Sequence, residues 1–311
     1  MTDRRSVLVA AAAACAPVLR AAPVVRLLVA YPPGGVSDGV ARVLARRLAP
    51  LIDRSIIVEN RPGAGGSVAM FEVARSAPDG NVLCFCAISP LALSPLFGQA
   101  PPFVAPVSAI MHTPLLLLGT PALSARSFAG MVDEARNTPG GLRWATSGVG
   151  TIGHLALEQV KLQFTLPLVH VPYAGGGQQL RDAIVGHFEV LSSNLAPLQI
   201  DYVNAGRLTA LAVGAPARAE QLPSVPTFAE LGAPAANLAS LFGLFAAQAT
   251  PPSIIEQWNA ACAQVLADPD FRQMLVDGGS LPAPGTPADF AREIARQAHI
   301  NARLMQAMRP R

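Results

Sequence analysis

A turn near the middle of the chain combines glycines with hydroxyl and imidazole side chains that could bind an anion. The stretch SGVGTIGHLALEQV, residues 147–160, contains a G-x-G-x-x-G pattern between a predicted strand and a predicted helix. Such a turn exposes unpaired backbone N–H groups beside the positive end of the helix dipole. Ser147 and Thr151 would add hydroxyl donors, and His154 would face the same opening one turn into the helix. Helix capping by the two hydroxyls and a structural role for the histidine are the competing interpretations.

The pattern does not fit a dinucleotide site. Such a site requires an acidic residue at the end of the next strand, about 20 residues further on, to hold the ribose hydroxyls. That strand, LVHVPY at residues 168–173, ends without a carboxylate, and Glu158 lies on the helix instead. We therefore interpret the turn as a cradle for a small anion, with a tight strand-to-helix turn that binds nothing as the alternative.

The first half of the chain contains a turn of the same construction, YPPGGVSD at residues 31–38. Gly34 and Gly35 free the backbone to approach a ligand. Ser37 or Asp38 is predicted to cap the helix that follows. Charge-assisted hydrogen bonds contribute roughly 1.5–3 kcal/mol each, against about 0.3–1 kcal/mol for the helix dipole, so hydrogen-bond geometry should decide which ligand binds.

A third turn, HVPYAGGGQQ at residues 170–179, places three glycines before a helix. Tyr173 would supply an aromatic wall and a phenolic hydroxyl there. Catalytic motifs are absent from the sequence: there is no G-x-S-x-G and no H-E-x-x-H, and none of the five histidines has a glutamate or cysteine at metal-ligand spacing. The sequence thus predicts no catalytic residue, no metal and no cofactor. An α/β enzyme acting on a carboxylate remains the alternative, because catalytic triads are dispersed in sequence.

Strands alternate with amphipathic helices along the chain, which predicts βαβ units and mostly parallel sheets. The Pro-rich stretch SPLALSPLFGQAPPFVAP separates two such halves. Predicted strands lie at residues 24–30, 55–60, 82–88, 114–119, 142–147, 168–173, 188–194, 208–214 and 240–248. Two helices should follow the last strand, and we expect them to pack on the first half.

The first 22 residues resemble an export signal. Arg4 and Arg5 precede the apolar run of residues 7–19, which is too short to span a bilayer. The arginine pair fits a twin-arginine signal or a Sec signal, and Cys15 is a candidate lipid attachment site. Removing these residues lowers the net charge from +3 to +1, so no basic surface for nucleic acid is expected. The other three cysteines are predicted to be buried small hydrophobic residues.

Seven motifs in a fixed order resemble the Bug family, the extracytoplasmic solute receptors of tripartite tricarboxylate transporters. The resemblance runs from about residue 24 to 308 and is carried by YPPGGVSD, IVENRPGAGG, APDG, G-x-G-T-x-x-H-L, HVPYAGG, LTALAVG and LPSVPTFAELG. It implies a type II periplasmic-binding-protein fold, in which two α/β lobes joined by crossover strands close over a ligand cleft. It further implies a periplasmic monomer that binds a small carboxylate and delivers it to the permease subunits of the transporter. A sensory receptor would differ only in its partner.

The resemblance also implies domain limits and ligand contacts. The limits are residues 1–22 for the signal peptide, 23–120 for the first part of lobe 1, 121–232 for lobe 2 and 233–311 for the return to lobe 1. The contacts that carry over are Tyr31, Gly34, Gly35, Ser37, Asp38, Ser147, Gly150, Thr151, His154, Tyr173 and Gly175. Two loops depart from the family pattern and leave Ser89 and Asn194 as their polar candidates. Ser193 stands where the family often has an aspartate, which disfavours ligands that carry an amine.

Overall fold

The structure is a computed structural model that describes residues 24–307. Its strands are β1 Val25–Val29, β2 Ile56–Asn60, β3 Val82–Ala87, β4 Val104–Gly119, β5 Leu142–Thr146, β6 Leu168–Pro172, β7 Val190–Asn194, β8 Thr209–Gly214, β9 Ala239–Ala247 and β10 Leu281–Pro282. Its α-helices are α1 Val36–Leu51, α2 Ser67–Ala74, α3 Ser89–Ala92, α4 Phe128–Asn137, α5 Ile152–Phe164, α6 Gly176–Ala183, α7 Pro197–Asn204, α8 Pro252–Ala267, α9 Pro269–Asp277 and α10 Pro287–Ala307. The predicted α/β class is confirmed.

The strands form a curled sheet in the order β2-β1-β3-β9-β4-β7-β5-β6, with β8 and β10 also paired to β4. In the first half, β1 pairs in parallel with β2 and β3. In the second half, β5 pairs in parallel with β6 and β7. The connection between the halves is antiparallel, because β9 pairs with β3 and with β4. Each half is thus an α/β lobe, and β4 belongs to both.

Strand β4 is 16 residues long and crosses from one lobe to the other. Residues Val104 to Pro114 pair with β9, and Leu115 to Gly119 pair with β7 and β8. The sequence predicted a strand only at 114–119 and a linker before it, which is wrong for residues 104–113. Prolines usually exclude a central strand, but the register shifts after Pro106, so the bulge accommodates it.

Apolar residues of the strands form the core of each lobe. In the first lobe, Leu28, Phe85 and Phe245 are fully buried, and residues of α8, α9 and α10 pack in the same cluster. In the second lobe, alternate residues of β4 face opposite sides, with Leu115 in one cluster and Leu116 in another, so helices cover both faces of the sheet. The lobe limits at residues 120 and 232 stay a prediction.

The described residues contain neither a candidate membrane span nor a paired cysteine. No helix within residues 24–307 is long and apolar enough to cross a membrane. The three cysteines in this range, Cys84, Cys86 and Cys262, are buried and free, which confirms their predicted burial. The predicted signal peptide and the candidate lipid attachment site at Cys15 lie outside the described residues.

Candidate ligand-binding site

A cavity of about 210 Å³ lies where the first turns of α1, α5, α6 and α7 meet the ends of β1, β3, β5 and β7. The edge formed by strand carboxyl ends and helix amino ends is where open α/β sheets bind ligands. The polar side chains on the cavity wall belong to Tyr31, Ser37, Ser89, Ser147, Thr151, Gln179, Arg181, Ser192, Ser193, Asn194, Gln199, Tyr202 and Ser240. Backbone of Gly34, Gly35, Gly176 and Gly177 completes the wall.

Eight of the thirteen predicted contacts line this cavity: Tyr31, Gly34, Gly35, Ser37, Ser89, Ser147, Thr151 and Asn194. Five others lie near it but outside its wall: Asp38, Gly150, His154, Tyr173 and Gly175. The structure therefore brings all three glycine turns to one place. Some of the five residues outside the wall hold the turns in shape instead of lining the cavity.

The first turn presents helix amides to the cavity. Helix α1 begins at Val36 with Gly35 as its N-cap, and no side chain caps it. The predicted cap is wrong, because the helix starts before Ser37. The N–H groups of Val36 and Ser37 are in the first helical turn and so lack a helical carbonyl partner. Space does not require a glycine at position 34, because a Cβ there would meet nothing within 4 Å. The φ of +85° does require one, because other residues rarely adopt it.

Asp38 lies beneath the first turn, where it is buried. Its carboxylate accepts hydrogen bonds from Gly34 N at 3.1 Å, Arg42 Nε at 3.1 Å and Asn60 Nδ2 at 2.8 Å. Burial acts to raise the pKa of this carboxyl, but the hydrogen bonds from Arg42, Asn60 and Gly34 outweigh burial and lower the pKa below its ordinary 3.8. The amide of Gly34 is thus bound by the protein's own carboxylate, and Asp38 positions the turn.

The ring of Tyr31 lines the cavity, while its hydroxyl points into the protein. The hydroxyl oxygen is 3.9 Å from Cys86 Sγ, and the ring packs edge-on against Phe242 with centroids 6.0 Å apart. Burial, with the nearby Cys86 thiol, raises the pKa of Tyr31 well above 10. Tyr31 therefore offers a ligand an aromatic surface and no free hydroxyl.

Thr151 caps helix α5 in the second turn. Its Oγ1 accepts a hydrogen bond from His154 N at 3.4 Å and donates to Gly148 O at 2.8 Å. Gly148 N donates to Thr146 Oγ1 at 3.2 Å. The capping interpretation therefore holds for Thr151, and the first-turn amides of α5, beginning at Ile152, face the cavity.

His154 packs behind the second turn and is 8% exposed. Its Nδ1 accepts a hydrogen bond from Gly150 N at 3.2 Å, and its ring lies between His170 and Phe97, with centroids at 4.0 and 4.3 Å. Burial, and then the charges of His170 and Lys161, lowers the pKa of His154 to about 4. The imidazole is therefore neutral at neutral pH and holds the turn, and the amide of Gly150 is bound internally.

The third turn touches the first across the cavity mouth. Gly175 packs against Pro32 so closely that a Cβ on Gly175 would lie 2.3 Å from Pro32 Cδ. Tyr173 does not reach the cavity, because its hydroxyl donates to Asp182 Oδ2 at 2.8 Å and its ring packs against Phe188. Helix α6 begins immediately after Gly175 and presents its first-turn amides to the cavity.

A fourth helix amino end, that of α7, also faces the cavity, although the sequence did not predict this helix. Gln199 Nε2 donates to Ser193 Oγ at 2.9 Å. At the end of β7, Asn194 Oδ1 accepts a hydrogen bond from Ser240 Oγ at 2.9 Å, which leaves the Asn194 amide N–H groups for a ligand. Pro197 suggests that no helix continues through this segment, but it is the first residue of α7, a position at which proline is compatible with a helix start.

Three serine hydroxyls on the cavity wall are available to a ligand. Within residues 24–307, the hydroxyls of Ser37, Ser89 and Ser147 form no hydrogen bond to the protein. Ser37 and Ser89 are 5% and 4% exposed, so water reaches them only through the cavity. A bound group with hydrogen-bond acceptors would satisfy them.

The charge of the cavity wall is one-sided. In the described part of the chain, the wall contains no aspartate, glutamate, lysine or histidine, and Arg181 is its one charged side chain. The positive ends of four helix dipoles also border the cavity. The arrangement favours an anion and offers an ammonium group no carboxylate partner. No cluster of His, Cys, Asp and Glu able to hold a metal ion occurs within residues 24–307.

Sequence reasoning missed Ser192, Ser193 and Ser240 on the strands of the wall and four polar residues on its helices: Gln179, Arg181, Gln199 and Tyr202. All four lie inside helices that follow a strand of the second lobe. Spacing could have suggested Arg181, because it lies four residues after Gly177 and so shares its helix face. No local signal indicates that α7 turns its first residues inward.

Comparison with known proteins finds relatives over nearly the whole chain. The profile of the family described as tripartite tricarboxylate transporter family receptor matches residues 40–309. Protein BugT of Bordetella pertussis is 31% identical and covers 89% of this chain and 87% of its own length. The structure of R. palustris Rpa4515 with adipate is 30% identical, with a TM-score of 0.85 over 91% of this chain and 96% of its own. That of MatC (Rpa3494) from Rhodopseudomonas palustris with bound malate is 26% identical, with a TM-score of 0.81 over 92% and 99%.

Proposed function

Because this chain belongs to the tripartite tricarboxylate transporter receptor family, we propose that it captures a small organic carboxylate and delivers it to the membrane permease of such a transporter. The family and the related structures are periplasmic solute-binding proteins, not enzymes. We further propose that the chain works as a monomer in the periplasm. Residues 1–22 would direct its export and then be removed.

The observation that carries this proposal is the composition of the cavity wall. Four helix amino ends, the free hydroxyls of Ser37, Ser89 and Ser147, and the amide of Asn194 surround one cavity without any carboxylate. Each hydrogen bond to a charged acceptor contributes roughly 1.5–3 kcal/mol, and each dipole about 0.3–1 kcal/mol. Three hydrogen bonds to one carboxylate and four dipoles would together contribute roughly 6–13 kcal/mol before the cost of association, a range that includes the about 8 kcal/mol of micromolar binding.

The ligand shell differs from the one that the glycine turns suggested. The amides of Gly34 and Gly150 are bound by Asp38 and His154. First-turn helix amides and serine hydroxyls would therefore hold the anion. The relatives were solved with adipate and with malate, so dicarboxylates of about four to six carbons are the first candidates for this chain.

Lobe closure would complete the shell. Ser37 and Ser89 belong to the first lobe, whereas Ser147 and Asn194 belong to the second. A ligand that contacts both sets binds the closed arrangement better than an open one, and the difference in affinity shifts the protein toward closure. The contact between Pro32 and Gly175 marks where the lobes meet at the mouth.

Isothermal titration calorimetry of the purified protein tests the proposal. Adipate, malate and related carboxylates should include a one-to-one binder, and the neutral diamide of that acid should not bind. Ser89→Ala should weaken carboxylate binding about 10-fold, because a hydrogen bond to a charged group is lost. The exposed Ser124 lies outside the cavity, so Ser124→Ala is the matched control. A neutral ligand that binds in place of every acid would refute the proposal.

A further inference from the structure

Arg181 is the one charged side chain on the cavity wall and has no partner within residues 24–307. It forms none of the ion pairs or hydrogen bonds of the described chain, and its side chain is exposed. Asp182, the acid next to it, instead accepts the hydroxyl of Tyr173. A cation at a cavity without acidic residues is therefore free to pair with a bound anion.

The position of Arg181 is set by helix α6. Gly177 and Arg181 are four residues apart and share one helix face, and both border the cavity. The rise of about 1.5 Å per residue places Arg181 about 6 Å farther from the helix amino end than Gly177. The Cα–Cβ bonds of a helix tilt toward its amino end, which for α6 is the end that faces the cavity.

The cavity wall therefore offers an anion two groups of different character. One is formed by the buried hydroxyls of Ser37 and Ser89, in the first lobe, with the first-turn amides of α1. The other is the exposed Arg181, on helix α6 of the second lobe. The same wall contains the apolar side chains of Leu115, Ile152, Leu180, Leu198 and Phe242.

We infer that Arg181 is a specificity-determining residue that pairs with a second anionic group of the ligand at the cavity entrance. The inference rests on the proposed function, in which helix amides and serine hydroxyls hold the first carboxylate. It makes the preferred ligand a dianion whose two acid groups are separated by a short apolar spacer. A planar guanidinium suits this role because it can bind a carboxylate with two parallel hydrogen bonds.

A purely structural explanation of Arg181 makes a different prediction. The residue lies in the last turn of α6, where a cation interacts favourably with the helix dipole. If that were its role, its removal would change the stability of the protein and would affect all ligands alike. A role in specificity requires that its removal change the affinity for dianions only.

The test compares acids that differ by one charge. Succinate, glutarate and adipate are each titrated beside their monoamides into wild type, Arg181→Gln and Arg181→Lys. Wild type should prefer the dicarboxylate that fits, and Arg181→Gln should weaken its binding about 5- to 30-fold while leaving its monoamide within 2-fold. Arg181→Lys should retain part of the preference, since it keeps the charge but not the planar pair.

Arg303→Gln is the control, because Arg303 is an exposed arginine outside the cavity wall. Its affinities and its thermal midpoint should match those of wild type. Equal weakening of the dicarboxylate and the monoamide by Arg181→Gln, or no weakening of either, overturns the inference and leaves the proposed function intact. If none of these acids or monoamides binds to wild type and no other carboxylate does, the proposed function itself fails.

Discussion

Replacement of Gly175 by alanine should prevent the two lobes from meeting at the cavity mouth. The added Cβ would lie 2.3 Å from Pro32 Cδ, whereas carbon atoms in contact are normally about 3.5–4.0 Å apart. Pro32 Cδ is bonded to its own backbone nitrogen, so the ring cannot rotate away. The first or the third turn must therefore move by more than about 1 Å, or the mouth must stay open.

Overpacking of this kind costs about 1–3 kcal/mol. The clash arises only where the two turns touch, so this cost falls on the closed arrangement. Gly175 also has a φ of +158°, which alanine rarely adopts, so the substitution strains the third turn in the open arrangement as well. Gly175→Ala should thus raise the Kd for a bound carboxylate about 5- to 150-fold, at about 1.4 kcal/mol per factor of ten. The midpoint of thermal unfolding without ligand should also fall, because the backbone strain at residue 175 is present with or without ligand.

Calorimetry measures the Kd, and small-angle scattering with and without ligand measures the compaction of the protein. The control is Gly39→Ala, because a Cβ on Gly39 would meet nothing within 4 Å and Gly39 lies outside the cavity wall. We expect ligand to compact the wild type and the control but not Gly175→Ala. Wild-type affinity and compaction in Gly175→Ala would refute the role of this contact in closure.

Two further predictions concern the side chains that hold the turns. Asp38→Asn should lower the free energy of unfolding by about 1–3 kcal/mol at pH 7, because three hydrogen bonds lose a charged acceptor. Since folding lowers the Asp38 pKa, this contribution is complete above about pH 4 and is lost as the pH falls through the folded value, so urea titrations of variant and wild type should converge in acid. Folding lowers the pKa of His154 from 6.5 to about 4. The contribution of His154 to the free energy of unfolding is therefore complete above pH 6.5 and is lost as the pH falls toward 4. Between pH 7.5 and 5, the free energy of unfolding should therefore fall by about 1–2 kcal/mol less in His154→Gln than in wild type. An unchanged pH dependence in urea titrations would contradict this reasoning.

Much of the fold could be predicted because its signals are local. Short apolar runs followed by amphipathic helices mark β1, β2, β3 and β5 to β9, and the structure has each strand within a few residues of its predicted position. Strand β4 was the exception. Its first ten residues contain Pro106, and only pairing with β9, more than a hundred residues later in the chain, makes this segment a strand.

The sequence by itself determined that three glycine turns begin helices at one edge of the sheets, since the carboxyl ends of parallel strands share an edge. Only the tertiary structure decided which groups face the ligand. Asp38 and Gly34 are four residues apart, yet the carboxylate turns toward the amide because Asn60, at the end of β2, holds it there. His154 is held likewise by stacking on His170, and Arg181 reaches the cavity wall because α6 packs along the ends of β5 and β7. Availability to a ligand depends on partners that are distant in sequence, and spacing along the chain does not contain that information.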